Sequence, residues 1–103
     1  MKIVGIAACT SGIAHTYMAK KSLVKAGEEL GHKIHIETQG TIGTEDALTQ
    51  SEIDEADVVI VAADIKVNGR ERFIGKPIVD VPTNVVIKSP KGLINKIVKT
   101  YGG

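Results

Sequence analysis

The residues with the clearest chemical potential form one segment near the amino terminus. The segment reads Cys9-Thr10-Ser11-Gly12-Ile13-Ala14-His15-Thr16, and it lies between an apolar run and an amphipathic stretch. A short glycine-containing loop that follows a strand and leads into a helix points several unpaired backbone N–H groups at one place, and the helix dipole adds positive potential there. The segment therefore predicts an anion-binding loop.

Cys9 is the only cysteine, and its place in this segment suits a nucleophile. A thiol near a helix N-terminus is favoured as the thiolate, which is the reactive form. We predict that Cys9 is the catalytic residue and that it attacks a phosphoryl group. The predicted phosphate-binding residues are Thr10, Ser11, Gly12, Ile13, Ala14, His15 and Thr16. The alternative is that Cys9 is a small buried side chain with no reaction of its own.

The spacing of Cys9 and His15 distinguishes a carrier from a hydrolase. Phosphatases of the low-molecular-weight type carry a Cys, five further residues and then an Arg that binds the phosphate, whereas here the last position is His15. An imidazole cannot provide the planar bidentate donors of a guanidinium, so hydrolysis loses stabilisation of its transition state. No Asp-Pro pair is present to protonate a leaving group. Because a stable thiolate is also a good leaving group, a carrier is favoured.

Two other functions remain open on the residues alone. One is a hydrolase or reductase of the low-molecular-weight phosphatase type with Cys9 as its nucleophile. The other is a non-enzymatic anion-binding or regulatory module in which Cys9 is only packed. A carrier has to present Cys9 at an exposed, shallow site that two partners can reach in turn.

Strands and helices alternate along the chain and position this loop. A stripe of Ala19, Leu23, Ala26 and Leu30 predicts a helix from His15 onward. The predicted strands are Lys2–Ala8, Lys33–Thr38, Asp57–Ala63 and Pro77–Val81, and the first and third are apolar enough to be covered on both faces. Further helices are predicted within Thr44–Ala56 with Thr49 or Ser51 as N-cap, over Thr83–Lys88, and from Pro90 with Ser89 as N-cap.

This alternation predicts an α/β fold. We expect a single-domain, three-layer open sheet of about four parallel strands with helices on both faces, and a Cys-containing phosphate loop after the first strand. Ligands of such sheets bind at the carboxyl ends of the strands. The loops predicted at that edge are Cys9–His15, Gln39–Thr44, Asp64–Lys76 and the segment after Val81.

Composition narrows the classes of protein. The chain of 103 residues carries 13 Lys and Arg against 12 Asp and Glu, which argues against nucleic acid as a main partner. One cysteine excludes a disulfide framework and a multi-cysteine metal site, and 3% aromatic residues leave little for stacking on bases or sugars. We see neither a membrane-spanning apolar run nor a signal-peptide pattern. We expect a cytoplasmic protein without a cofactor or a metal.

Four segments spread over nearly the whole chain match the pattern of one family, in the order in which that family has them. The cysteine segment is the most specific of the four. They are Cys9–Ala19, Glu37–Gly40, Ala56–Ile60 with Ala62–Asp64, and Arg72–Phe73 followed by Gly75–Lys76. Together they resemble the fructose-family enzyme IIB of the bacterial phosphoenolpyruvate-dependent sugar phosphotransferase system. The resemblance implies one domain of this type over residues 1–103.

The resemblance also implies a function and partners. Cys9 would accept phosphoryl from a phosphohistidine of enzyme IIA and, as a phosphocysteine, pass it to fructose or a fructose-like sugar held by the membrane permease, enzyme IIC. The protein would then be peripherally associated with the transporter, without inserting into the membrane. Many members of the family have Pro directly after the Cys, whereas this chain has Thr10. Because the chain is a IIB alone, we expect its IIA and IIC partners to be separate proteins.

Several other polar residues have two interpretations. Arg70, Arg72 and Lys76 either line the active edge and meet enzyme IIA or belong to a solvated loop. Asp64 is an acid or metal-ligand candidate, although the sequence gives it no ligand-spaced partners. His15 either orients Cys9 and binds phosphate or is a local structural donor.

Four more residues have weaker assignments. His32 and His35 are predicted at the surface. Gln39, with the glycine that follows it, is expected to shape the second loop of the edge. Tyr17 is either part of a docking surface or packed in place.

Overall fold

The computed structural model describes residues 1–9, 13–40 and 43–102. In chain order strands and helices alternate as the sequence predicts, except for two consecutive strands before residue 46 and two consecutive helices after residue 82. The strands are β1 (Lys2–Ala8), β2 (Lys33–Gly40), β3 (Gly43–Glu45), β4 (Val58–Ala63) and β5 (Ile78–Val81). The helices are α1 (Ile13–Glu29), α2 (Gln50–Glu55), α3 (Thr83–Lys88) and α4 (Pro90–Tyr101), and a 3₁₀ helix spans Arg70–Phe73.

The sheet has five strands in the order β3-β2-β1-β4-β5, which makes β1 the central strand. Strands β1, β2, β4 and β5 pair in parallel, so the predicted parallel sheet is confirmed. The expected loop over Gln39–Thr44 is wrong in part, because β2 continues to Gly40 and β3 pairs antiparallel with it. Strand β3 is three exposed residues with no apolar alternation, so periodicity gives it no signal.

Two apolar layers cover the two faces of the sheet. Alternate residues of β1 point to opposite faces, so that Ile3 and Ala7 pack against the layer of α1, α3 and α4. Val4 and Ile6 pack on the other face with Phe73 of the 3₁₀ helix and with residues of α2. The continuous apolar run of β1 reflects burial on both sides, and the three-layer expectation is confirmed.

Helix α1 ends at the predicted glycine. Gly31 has a φ of +83°, its N–H donates to the carbonyl of Glu28, and the N–H of His32 donates to the carbonyl of Gly27. These two bonds form a Schellman motif, in which a left-handed residue satisfies the last carbonyls of a helix. The motif turns the chain directly into β2, because His32 immediately precedes that strand.

The remaining helices begin close to their predicted caps. Thr49, rather than Ser51, caps α2: its hydroxyl accepts from the Glu52 N–H, and the Glu52 side chain accepts from the Thr49 N–H. Ser89 occupies the N-cap position of α4 with Pro90 after it, although its side chain makes no capping hydrogen bond. Among the described residues, no helix is both long and apolar enough to cross a membrane.

Candidate functional site

The parallel register places three polar residues in one row at the carboxyl edge of the sheet. Ala8 of β1 lies opposite Ala63 of β4, so Cys9 and Asp64 follow at the same level. The Asp64 N–H donates to the Ala8 carbonyl at 3.1 Å, which carries the pairing one step past the strand ends. Ala62 pairs with Val81 of β5, so Thr83, two residues on, comes level with Asp64. Adjacent strands alone therefore bring Cys9, Asp64 and Thr83 together.

Helix α1 supplies the fourth member of this cluster. Cys9 Sγ lies 2.9 Å from His15 Nδ1, which belongs to the first turn of the helix. Cys9 Sγ also donates to Asp64 Oδ2 at 3.1 Å. A thiol has one proton, so when it is donated to Asp64, the hydrogen between sulfur and imidazole comes from Nδ1. The tautomer of His15 thus decides whether the thiol proton faces Asp64 or the ring.

Thr83 holds the Asp64 carboxylate in place. Its hydroxyl donates to Asp64 Oδ2 at 2.5 Å and its backbone N–H donates to Oδ1 at 3.1 Å, while the same hydroxyl lies 3.8 Å from Cys9 Sγ. The hydrogen bond from Thr83, followed by that from Cys9, lowers the pKa of Asp64 below its ordinary value. Asp64 is therefore an ionised carboxylate fixed beside the sulfur.

Burial differs between the members of this site. Cys9 is 7% exposed and Thr83 is fully buried, whereas His15 is half-buried and Asp64 is exposed. Cys9 is thus less open than the exposed, shallow site that we expected, because it continues the buried strand β1. Of the four side chains, Asp64 is the most exposed to solvent.

The predicted phosphate-binding residues are only partly visible. Thr10, Ser11 and Gly12 lie outside the described residues, and Ile13 is the first residue of α1. Ala14 is exposed, and Thr16 is buried with 2% exposure. Helix α1 thus begins four positions after Cys9, which agrees with the prediction of a helix that follows the first strand closely. The binding of phosphate by these seven residues remains a prediction.

A second polar cluster, around Glu37, lies next to the first at the carboxyl edge of the sheet. Glu37 of β2 is 1% exposed, and Arg72 donates to both of its carboxylate oxygens at 2.9 and 3.0 Å. Gln39 Nε2 and the Leu48 N–H also donate to this carboxylate. Burial alone would raise the pKa of Glu37, but these donors, chiefly Arg72, lower it below the ordinary value.

Gln39 ties the same cluster to the loop after β4. Its side-chain oxygen accepts from the Asn68 N–H and its Nε2 donates to the Asn68 carbonyl, both at 2.8 Å. The expectation that Gln39 shapes this edge is consistent with that pair of bonds. No buried side-chain nitrogen or oxygen in the described ranges lacks a hydrogen-bond partner.

The three cations of this region all have partners within the chain. Arg72 binds Glu37, and Arg70 binds Asp80 through both carboxylate oxygens at 2.7 and 3.1 Å. Lys76 Nζ donates to the carbonyls of Asp54 and Ala56 at the end of α2, at 2.7 and 3.0 Å. These intramolecular contacts add to the two expected interpretations, an active edge that meets a partner and a solvated loop, and both of those stay predictions.

Exposed polar bonds link α1, the β2–β3 hairpin and α2. Tyr17 OH donates to Glu45 at 2.5 Å, so an intramolecular contact accounts for its position. His35 contacts Asp46 through Nε2 at 3.0 Å and Glu52 through Nδ1 at 2.5 Å. Burial would lower the pKa of His35, but the two carboxylates raise it above the ordinary value. Both His32 and His35 are half-buried, so the surface prediction is wrong in degree.

Thr83 and Glu37 are the two site residues that sequence reasoning missed. Thr83 directly follows Pro82. The sequence predicts the segment after Val81 at this edge but singles out no residue within it. The register of β4 with β5 is the missing information, because it sets Thr83 beside Asp64. A buried Glu37 has no local signal, since its partner is 35 residues away.

Comparison with known proteins agrees with this arrangement. A family model described as "PTS system, Lactose/Cellobiose specific IIB subunit" matches residues 4–96. The "PTS system fructose-like EIIB component 2" of Escherichia coli K12 is 43% identical over 96 residues, which are 93% of this chain and 91% of that protein. The chain belongs to the PTS enzyme IIB family. Enzyme IIB components are phosphotransferases that use a cysteine to pass phosphoryl to the sugar.

Solved enzyme IIB structures have the same fold. The Enzyme IIB subunit of the PTS system from Escherichia coli K12 has a TM-score of 0.90 at 33% identity, over 96% of this chain and 92% of that chain. The "PTS system fructose-specific EIIABC component" of Bacillus subtilis is 45% identical over 95 residues, which cover 92% of this chain but 15% of that protein. Enzyme IIB domains function with enzymes IIA and IIC, in some relatives within one polypeptide.

The phosphatase-like alternative has support only at the level of fold. An arsenate reductase in its phosphate-binding state has a TM-score of 0.55 and 14% sequence identity. Such a likeness shows a common fold and nothing about the reaction. The family assignment and the phosphocarrier role therefore rest on the enzyme IIB relatives.

Proposed function

We propose that Cys9 is the residue that carries the phosphoryl group, accepting it from a phosphohistidine of enzyme IIA and transferring it to a sugar held by enzyme IIC. The observation that carries this assignment is the position of Cys9 Sγ, 2.9 Å from His15 Nδ1 in the first turn of α1. Cys9 is also the only cysteine available for the transfer that enzyme IIB performs.

The transfer to Cys9 balances with the groups present. The sulfur attacks phosphorus, the N–P bond to the histidine of enzyme IIA breaks, and an S–P bond forms. With a bare Nδ1, His15 accepts the thiol proton across 2.9 Å. The protonated ring then offsets part of the charge on the new phosphocysteine. We propose that residues 10–16, at the positive end of the α1 dipole, bind the phosphate oxygens.

The Asp64 carboxylate favours transfer of the phosphoryl group from Cys9 to an acceptor over a long-lived phosphocysteine. It lies 3.1 Å from the sulfur, and Thr83 keeps it ionised and fixed. A phosphoryl group on Cys9 brings further negative charge next to this carboxylate, and like charges at such a separation repel. The repulsion raises the energy of the phosphocysteine, so the S–P bond breaks more readily when an acceptor arrives.

The names of the relatives support a class of sugar for this proposal. Their names include "fructose-like" and "fructose-specific", so we propose fructose or a fructose-like sugar as the acceptor. We propose that residues 1–103 act as a single domain of this type, in the cytoplasm and against enzyme IIC at the membrane. Its contacts with IIA and IIC would be small and transient, as suits a carrier that exchanges partners.

Phosphopeptide mapping tests the assignment of Cys9. The purified protein is incubated with phosphoenolpyruvate, the general phosphotransfer proteins and a matching enzyme IIA. Intact mass spectrometry should find one phosphoryl group, mapping to Cys9 and missing in Cys9→Ser. A phosphoryl group on another residue, or hydrolysis of an aryl phosphate by the unphosphorylated protein, would contradict the proposal and favour the phosphatase-like alternative.

A further inference from the structure

The cluster around Cys9 also has the composition of a metal site. Cys9, His15 and Asp64 each offer one ligand atom, and these atoms lie within 4.8 Å of one another. A thiolate, an imidazole and a carboxylate are all ligands of Zn²⁺. His15 lies 6 residues after Cys9 in sequence, and Asp64 lies 55 residues after it, so the spacing does not match a metal-binding sequence motif. Only the register of β1 with β4 and the start of α1 bring them together.

We propose that the unphosphorylated protein binds one Zn²⁺ through Cys9 Sγ, His15 Nδ1 and Asp64 Oδ2, and that this zinc blocks phosphoryl transfer. Binding itself is independent of the proposed function, whereas the block rests on the role proposed for Cys9. The metal is an inhibitory ligand here, since it occupies the sulfur that has to attack phosphorus.

The distances need little adjustment to accept the ion. Tetrahedral zinc holds sulfur at about 2.3 Å and nitrogen at about 2.0 Å, which separates those two ligands by about 3.5 Å. Sγ and Nδ1 are 2.9 Å apart and Sγ and Oδ2 are 3.1 Å apart, so each pair must open by about half an ångström. The half-buried His15 and exposed Asp64 are the side chains able to rotate by that amount.

Hydrogen bonds from Thr83 already orient the carboxylate ligand. Thr83 donates to both oxygens of Asp64, and carboxylates that bind metals are commonly held by such hydrogen bonds. Three protein ligands leave one tetrahedral position for water, as in open zinc sites. On binding, the Sγ–H bond breaks, an S–Zn bond forms and one proton leaves to solvent. No oxidant or reductant takes part.

Phosphorylation and zinc binding are therefore mutually exclusive. The same sulfur cannot hold a phosphoryl group and bind the ion as a thiolate. Free zinc would inhibit the unphosphorylated protein, and phosphorylated Cys9 would be protected. A rise in zinc concentration would thus stop the carrier in the state that waits for enzyme IIA.

Calorimetry with zinc chloride and spectroscopy with Co²⁺ test the site on the whole chain. The wild type should bind one Zn²⁺ with release of about one proton, measured in two buffers, and Co²⁺ should give a thiolate-to-cobalt absorption band. Asp64→Asn keeps the shape of the side chain and should weaken zinc binding by roughly tenfold or more. Cys9→Ser should abolish the cobalt band, and His32→Gln, a histidine remote from the cluster, should bind as the wild type does.

The outcomes separate this inference from the proposed function. Equal zinc affinity in the wild type, Asp64→Asn and Cys9→Ser, each shown to be folded by circular dichroism, would overturn the site. Undetectable binding by the folded wild type would overturn it as well. Zinc that binds but leaves the rate of Cys9 phosphorylation unchanged would overturn the block. Phosphorylation of Cys9 in zinc-free buffer is measured by mass, so failure of the proposed function is detected independently.

Discussion

Two polar clusters lie at the same edge of the sheet and are built in opposite ways. Around Glu37, three donors bind the carboxylate oxygens, namely Arg72, the Gln39 side chain and the Leu48 N–H. Around Cys9, a carboxylate and an imidazole both contact one sulfur, and the carboxylate is exposed. The first cluster has satisfied its charge internally. The second keeps a reactive atom between groups whose charges change when it reacts.

The comparison shows how one edge can be both rigid and reactive. The Glu37 cluster fixes β2, the loop after β4 and the 3₁₀ helix relative to one another. The Cys9 cluster links the ends of β1 and β4 to α1 and α3 through side-chain hydrogen bonds. We infer that the Glu37 cluster contributes mainly to stability and the Cys9 cluster mainly to transfer. Substitutions in each should therefore have different effects.

The largest effect is expected for Cys9→Ser. Serine keeps the size of the side chain but removes the sulfur, so we predict complete loss of phosphoryl transfer to sugar. The free energy of unfolding should change by no more than about 1 kcal/mol. Transfer assays and urea unfolding measure the two quantities, and a Cys9→Ser protein that still transfers phosphoryl would break the comparison.

The next effect is expected for Arg72→Leu, in stability. The variant leaves Glu37 as a buried charge without its main partner, so the free energy of unfolding should fall by about 3 kcal/mol. This is the low end of the usual cost, because the Arg72 side chain is one-quarter exposed. Arg70→Leu is the matched control, since it removes an exposed pair with Asp80 and should cost less than about 1 kcal/mol. Equal losses in urea unfolding for the two variants would show that the Glu37 pair has no special structural role.

Thr83→Val is expected to have an intermediate effect within the Cys9 cluster. Valine keeps the buried shape but removes the hydroxyl that donates to Asp64, so stability should fall by about 1 kcal/mol. The rate of transfer from phosphocysteine should fall as well, because the carboxylate is no longer fixed beside the sulfur. Thr83→Ser retains the donor and should restore the rate. If serine and valine variants transfer at the same rate, the hydroxyl has no role in positioning.

The smallest effect concerns His35, outside both clusters. Glu52 and Asp46 raise the pKa of His35 in the folded protein, against the opposite effect of burial. The contribution of His35 to stability is therefore full below its unfolded pKa of about 6.5, and it is lost as pH rises through the higher folded pKa. The stability of the wild type relative to His35→Gln should decrease by less than about 1 kcal/mol from pH 6 to 8. Urea unfolding at several pH values measures this difference in stability. A relative stability that increases with pH would contradict the predicted pairing of His35 with the two carboxylates.

Asp46→Asn provides the matched variant for that pH dependence. It removes one of the two carboxylates that face His35 and leaves Glu52 in place. The decrease between pH 6 and 8 should become smaller than in the wild type. An unchanged pH dependence would assign the effect to groups other than this pair.

Sequence patterns were sufficient for most of the fold and for the centre of the site. The apolar runs, the stripe of α1 and the turn at Gly31 specify elements through local chemistry, and each is present. The antiparallel strand β3 could not be predicted, because three exposed residues gain their pairing from β2 rather than from their own pattern. Local signals therefore fail where a partner strand determines the structure.

The partners within the site show the same limit. Cys9 and His15 are six residues apart, so a contact between them was one of the two interpretations that the sequence offered for His15. Thr83 is 74 residues from Cys9, and Arg72 is 35 residues from Glu37, so only the sheet register and loop packing join them. Contacts between residues far apart in sequence therefore determine the partners of Glu37 and of Cys9.

A single-turnover transfer experiment tests the central claim most directly. The protein is phosphorylated on Cys9, separated from its donor and mixed with membranes that contain a matching enzyme IIC, with or without fructose. We predict that the phosphoryl group appears on the sugar when fructose is present and stays on Cys9 when it is absent. Rapid release of inorganic phosphate in both samples, with none on the sugar, would contradict the carrier and identify a hydrolase.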